Sequence, residues 1–80
     1  MRIHTAKLLG ELVRDRRKRL GWSQGLLAEK VGVSRLWIGQ FEKGKSSVEL
    51  GLVLQTLREL GLSLDISLPR ASPFETAPLP

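Results

Sequence analysis

Positions 24–43 read QGLLAEKVGVSRLWIGQFEK, and no other stretch restricts the fold as much. Taken as two short helices, Leu27 and Val31 share a face of the first, and Ile38 and Phe41 share a face of the second. Val33 lies between the two pairs, where the helices meet. Ala28 is small at the point where two steeply crossed helices need close approach. Gly32 falls at the turn, where the backbone must enter the left-handed region. These seven placements agree on a helix-turn-helix unit.

The flanks extend this unit to four helices. Thr5 is placed to cap a first helix running to about Leu20, with Leu9, Leu12, Val13 and Leu20 as its apolar stripe and Gly21 as its stop. Its outer face carries RDRRKR, residues 14–19. Trp22 is expected to staple the first two helices. Ser23 caps the second, about residues 24–31, and Ser34 caps the third, about residues 35–43. Gly44 ends the third helix. The S-x-x-E spacing of Ser46 and Glu49 predicts a capping box for a fourth helix to Leu60, with Leu50, Val53, Leu54, Leu57 and Leu60 closing the core.

Past Gly61 the apolar period shortens from helical to alternating. Leu62, Leu64, Ile66 and Leu68 share one side and Ser63, Asp65 and Ser67 the other, which predicts a single strand. A lone strand leaves its backbone donors and acceptors unpaired, so pairing with the same strand of a second copy is expected. Pairing with residues 2–4, or an accidental alternation in a frayed tail, are the alternatives. Residues 69–80, PRASPFETAPLP, hold all four prolines and are expected to be disordered in isolation. The expected organisation is a DNA-binding domain over residues 5–61, a dimerisation strand over 62–68 and a proline-rich tail over 69–80.

Eighty residues are close to the lower limit for one self-sufficient core, so help from a second subunit is plausible. Cysteine is absent and the one histidine, His4, has no second ligand type clustered beside it, so neither a metal nor another cofactor is expected. No apolar run approaches the roughly 20 residues that cross a bilayer, and the first ten residues lack a signal-peptide core, so the expected compartment is the cytoplasm and no membrane partner is expected. The net charge of +5 is unevenly spread, since residues 1–46 hold eleven Lys and Arg against four acids and residues 47–80 hold two against four. A basic half that also contains the helix-turn-helix fits a polyanionic partner, because phosphate neutralisation supplies most sequence-independent affinity.

Ile38 and Phe41 set the buried direction of the third helix. A step of about 100° per residue then turns Leu36, Gly39, Gln40 and Lys43 outward, with Arg35 at the flank. Arg35 is suited to two parallel hydrogen bonds with guanine, Gln40 to a paired contact with adenine, and Leu36 to a thymine methyl. Gly39 permits close backbone approach to DNA, or else marks a tolerant surface. Trp37 lies beside the buried face, and either packs in the domain or meets the sugar-phosphate backbone. Phosphate contacts are expected from Ser23, Gln24, Ser34, Lys43, Lys45 and Ser46, around the second-helix start and the 43–47 loop. Arg17 and Glu42 suggest an ion pair bracing the first helix to the third.

GWSQ at 21–24, LAEKVGV at 27–33 and FEKGK at 41–45 resemble the Cro and phage-repressor type of helix-turn-helix family, over roughly residues 8–61. The resemblance implies a mainly α, four-helix, lambda-repressor-like domain. It places base contacts on Arg35, Leu36 and Gln40, phosphate contacts on Gln24, Lys45 and Ser46, and a brace on Arg17 and Glu42. Together with LGLSL at 60–64, the layout is similar to HipB antitoxins. That likeness implies an intersubunit two-stranded sheet and, as partner, a HipA-type serine/threonine kinase toxin bound by a dimer that represses its own operon. The proline-rich ending departs from that pattern.

The expected function is therefore a homodimeric, sequence-specific repressor acting as an antitoxin and binding an inverted-repeat operator in double-stranded DNA. A phage-type or free-standing regulator without a toxin, and a protein-interaction module with weak DNA binding, are the alternatives. Enzymatic activity is not expected, because no nucleophile with its base, acid–base pair or glycine-rich phosphate loop is present.

Overall fold

The computed structural model describes residues 5–65, which fold into four helices: α1 Ala6–Arg19, α2 Gln24–Val31, α3 Arg35–Glu42 and α4 Leu50–Glu59. Three helices start on the side chains that the sequence singles out. Thr5 accepts from the Leu8 amide at 3.1 Å, Ser23 from Leu26 at 3.0 Å and Ser34 from Trp37 at 3.1 Å. Each cap occupies a donor that the helix itself leaves free, at about 1 kcal/mol apiece.

The core gathers Val13 from α1, Leu27, Ala28 and Val31 from α2, Ile38 and Phe41 from α3, and Val53 and Leu57 from α4 with the adjoining Leu60. Val13, Leu27 and Ile38 are fully enclosed, and each such side chain contributes about 1.5–3 kcal/mol. Gly32 takes φ 84°, so its amide and that of Val33 both reach the Ala28 carbonyl and the chain reverses into α3.

Gly44 closes α3 in the same way, at φ 94°. The Gly44 amide donates to Phe41 O at 2.9 Å and the Lys45 amide to Gln40 O at 3.0 Å, the paired bonds of a Schellman turn. A side chain there would also come within 2.7 Å of the Lys7 Cα, so α1 packs directly on this turn.

The start of α4 corrects one expectation. The helix begins at Leu50, with Glu49 at the cap position and no side-chain cap bond, so Ser46 does not cap it. Leu50 and Leu54, expected in the core, instead face outward at 66% and 42% exposure, because the buried side of α4 is Val53, Thr56 and Leu57, with Thr56 fully enclosed. Thr56 satisfies its hydroxyl by donating to the Leu52 carbonyl at 2.7 Å.

Residues 62–65 are described without strand pairing, and Leu62 packs against the core while Leu64 is 53% exposed. Ile66 and Leu68, the rest of the expected strand, and its alternative partner at residues 2–4 lie outside the described residues, as does the tail. No helix among the described residues is long and apolar enough to cross a membrane.

Candidate nucleic-acid interface

α3 is held from below and offered above. Ile38 and Phe41 are anchored in the core, and the opposite strip carries Arg35 and Leu36 in the open, with Gly39 and Gln40 half-buried beyond them. Leu36 is 70% exposed, a leucine facing water where an aspartate or lysine would carry no hydration cost. Trp37 is half-buried, its ring 5.3 Å from that of Phe41 and packed on the core, which is the domain-packing alternative of the two considered for it.

A buried polar network fixes the tilt of this helix. Arg17 Nε donates to Glu42 Oε2 at 2.6 Å and Arg17 Nη2 donates to Glu42 Oε1 at 2.9 Å, a two-pronged pair that leaves both residues under a tenth exposed. Arg17 Nη1 also donates to the Trp22 carbonyl at 2.7 Å, and Gln24 Nε2 donates to Glu42 Oε1 at 3.1 Å. One carboxylate thus joins α1, α2 and α3, and its arginine partner adds the α1–α2 turn. The hydrogen bond to Glu42 holds the Arg17 guanidinium above its ordinary pKa, with burial opposing and the charge of Glu42 assisting. Since the folded value is raised, this contribution is present at lower pH and lost only in strongly alkaline solution.

Gln24 is therefore tied into the domain, and only its second amide hydrogen remains for a phosphate. Ser23 and Ser34 accept amide hydrogens through Oγ and are exposed, so each hydroxyl hydrogen is available to an acceptor. Lys43, Lys45 and Ser46 are exposed just beyond α3, and Lys45 Nζ donates to Gln40 Oε1 at 3.3 Å. The first turns of α2 and α3 contain no acid, and Arg16, Arg17, Lys18 and Arg19 crowd the last turn of α1 just before α2. Trp22 packs on the core with Lys30 Nζ 4.8 Å above its ring.

A Cβ at Gly39 would lie 3.8 Å from both amide heteroatoms of Gln24, an ordinary contact. The domain itself does not require glycine there. Gly39→Ala is expected to stabilise the fold by about 1 kcal/mol through helix propensity, yet to weaken DNA binding if backbone approach is its use. Thermal unfolding and anisotropy titration on the same sample read the two effects, and unchanged DNA affinity would remove that use.

Two further contacts were not anticipated from sequence. An added Cβ at Gly10 would strike Phe41 O and fall 2.8 Å from Glu42 O, so α1 crosses α3 backbone to backbone at this residue. A glycine inside a helical pattern is the available signal. Arg16 Nε donates to Leu60 O at 2.9 Å, binding α1 to the end of α4. A single arginine among four consecutive basic residues gives no such signal.

A small four-helix domain that locks its third helix from behind and leaves Arg35, Leu36 and Gln40 accessible is a helix-turn-helix DNA-binding domain. Residues 8–66 match the family described as helix-turn-helix domain, and the chain belongs to it. It is similar to an uncharacterised HTH-type transcriptional regulator of Sinorhizobium fredii, at 43% identity over 85% of this chain and 90% of that protein. An uncharacterised HTH-type transcriptional regulator of Methanothermobacter thermautotrophicus is 48% identical over 62% of this chain and 72% of its own. Among solved structures, a chain of the HipA–HipB–O2–O3 complex superposes with a TM-score of 0.79 at 26% identity, covering 88% of this chain and 99% of that one. The HipB–O4 20mer complex gives a TM-score of 0.78 at 26% identity, with 88% and 99% covered. The protein is a DNA-binding, HTH-type transcription regulator and not an enzyme.

Proposed function

We propose that this chain is a homodimeric repressor of its own operon and the antitoxin of a HipA-like serine/threonine kinase. The observation that carries this reading is the likeness to a chain of the HipA–HipB–O2–O3 complex, which takes in 99% of that chain instead of stopping at the helix-turn-helix. The 5–61 domain binds DNA, residues 62–68 join two copies through Leu62, Leu64, Ile66 and Leu68, and residues 69–80 form a tail. The exposed Leu64 is consistent with an apolar face that a second copy covers.

In the dimer, two α3 helices enter successive major-groove segments about 34–36 Å apart, so the operator is an inverted repeat. Arg35, Leu36, Gly39 and Gln40 meet base edges. Ser23, Gln24, Ser34, Lys43, Lys45 and Ser46 lie along the phosphates.

Footprinting upstream of the chain's own gene is expected to protect such a repeat, and an asymmetric single site would remove the dimeric repressor. Arg35→Ala is expected to cost about 2 kcal/mol of binding and to relax preference at one base pair per half-site. Equal losses on operator and random DNA would take Arg35 out of base reading. Co-expression with a neighbouring kinase gene tests the antitoxin half. The Sinorhizobium fredii relative, matched over 90% of its length and described as a transcriptional regulator, favours a second reading, a free-standing regulator with no toxin. A neighbouring gene that encodes no kinase would select it.

A further inference from the structure

We infer that Lys45 is a positioning residue for base reading: it turns the Gln40 amide so that α3 presents hydrogen-bond donors to guanine instead of a paired contact to adenine. This rests on the reading that α3 lies in the major groove. The geometry begins in the backbone. The Schellman turn at Gly44 brings the Lys45 amide onto the carbonyl of Gln40 itself, at 3.0 Å, so the two side chains leave neighbouring points of one rigid turn. Gly44 adopts φ 94° with the Lys7 backbone packed where its Cβ would otherwise stand, so α1 backs the turn. From that base Lys45 Nζ reaches Gln40 Oε1 at 3.3 Å.

The chemistry of the pair then sets the amide. An ammonium group only donates, so the group it touches must be the amide oxygen, and the NH₂ group is left for the groove. A paired contact with adenine needs both ends of the amide, the oxygen accepting from N6 and the NH₂ donating to N7. The oxygen keeps a second lone pair, but an adenine N6–H approaching it would come beside the Lys45 charge, donor against donor. Guanine presents two adjacent acceptors, O6 and N7, and no major-groove donor of its own. A donor-only Gln40 with a cation behind it therefore suits guanine, and Lys45 acts on sequence preference as well as on overall attraction.

The test is selection from a random-sequence duplex library by the full chain, as wild type, Lys45→Met, Lys45→Arg and Gln40→Ala. Gln40→Ala identifies the base pair concerned as the one whose preference it erases. At that pair the wild type is expected to enrich guanine, Lys45→Met to shift preference towards adenine by roughly tenfold, and Lys45→Arg, which keeps its donors, to retain guanine. All other positions should keep their profile. A Lys45→Met profile identical to wild type, with every sequence weakened alike, would reduce Lys45 to a phosphate contact and overturn the inference while leaving α3 as the reading helix. A wild type that enriches no sequence would overturn both.

Discussion

Arg17→Ala is expected to lower the unfolding free energy by about 3–5 kcal/mol, a large part of the stability of a domain this small. The loss comes less from the attraction removed than from what remains. Glu42 would stay in a site under a tenth exposed, with the Gln24 amide as its remaining side-chain donor, and the Trp22 carbonyl would lose its donor as well. Urea unfolding followed by tryptophan fluorescence measures it. Arg17→Met with Glu42→Leu is expected to regain most of that stability, because an apolar pair of similar volume carries no stranded charge. DNA binding should not recover in parallel, since Gln24 would have lost the carboxylate that orients it. If Arg17→Ala costs less than about 1 kcal/mol, the value of an exposed pair, the network does not brace α3.

Gly10→Ala is expected to destabilise by about 3 kcal/mol, at the upper end of the range for overpacking. The atoms that a methyl group would strike are the carbonyl oxygens of Phe41 and Glu42, and helix backbone cannot move aside as a side chain does. Relief requires α1 and α3 to separate, which lengthens the Arg17–Glu42 contacts and loosens Phe41. The contrast with Gly39→Ala is informative, because both exchange glycine for alanine within a helix and the expected stability changes have opposite signs. A Gly10 variant as stable as the wild type would show that the crossing is looser than described.

The architecture was largely legible from the chain because its signals are local. Thr5, Ser23 and Ser34 cap as expected, and the apolar pairs Leu27 with Val31 and Ile38 with Phe41 face inward. Helix ends agree within about a residue except at α4. There the spacing of Ser46 and Glu49 suggests a capping box that does not form, and the helix begins at Leu50 with no side-chain cap. The polarity of Thr56 masked its inward position. At the candidate site, the face of α3 follows from periodicity, whereas Gly10 over Phe41, Gln24 on Glu42 and Lys45 on Gln40 depend on how helices cross and turns close. No periodicity encodes those contacts.

The end of α4 bears on how two reading heads are spaced. Gly61 and Leu62 return their amides to Arg58 and Leu57, Leu62 is pressed on the core, and Arg16 grips the carbonyl of Leu60. The chain thus leaves the domain from a stiff exit and not from a swivel. In a dimer joined through residues 62–68, the separation of the two heads would be inherited from that exit, and an operator with inserted or missing base pairs between its halves would meet a ruler that does not stretch.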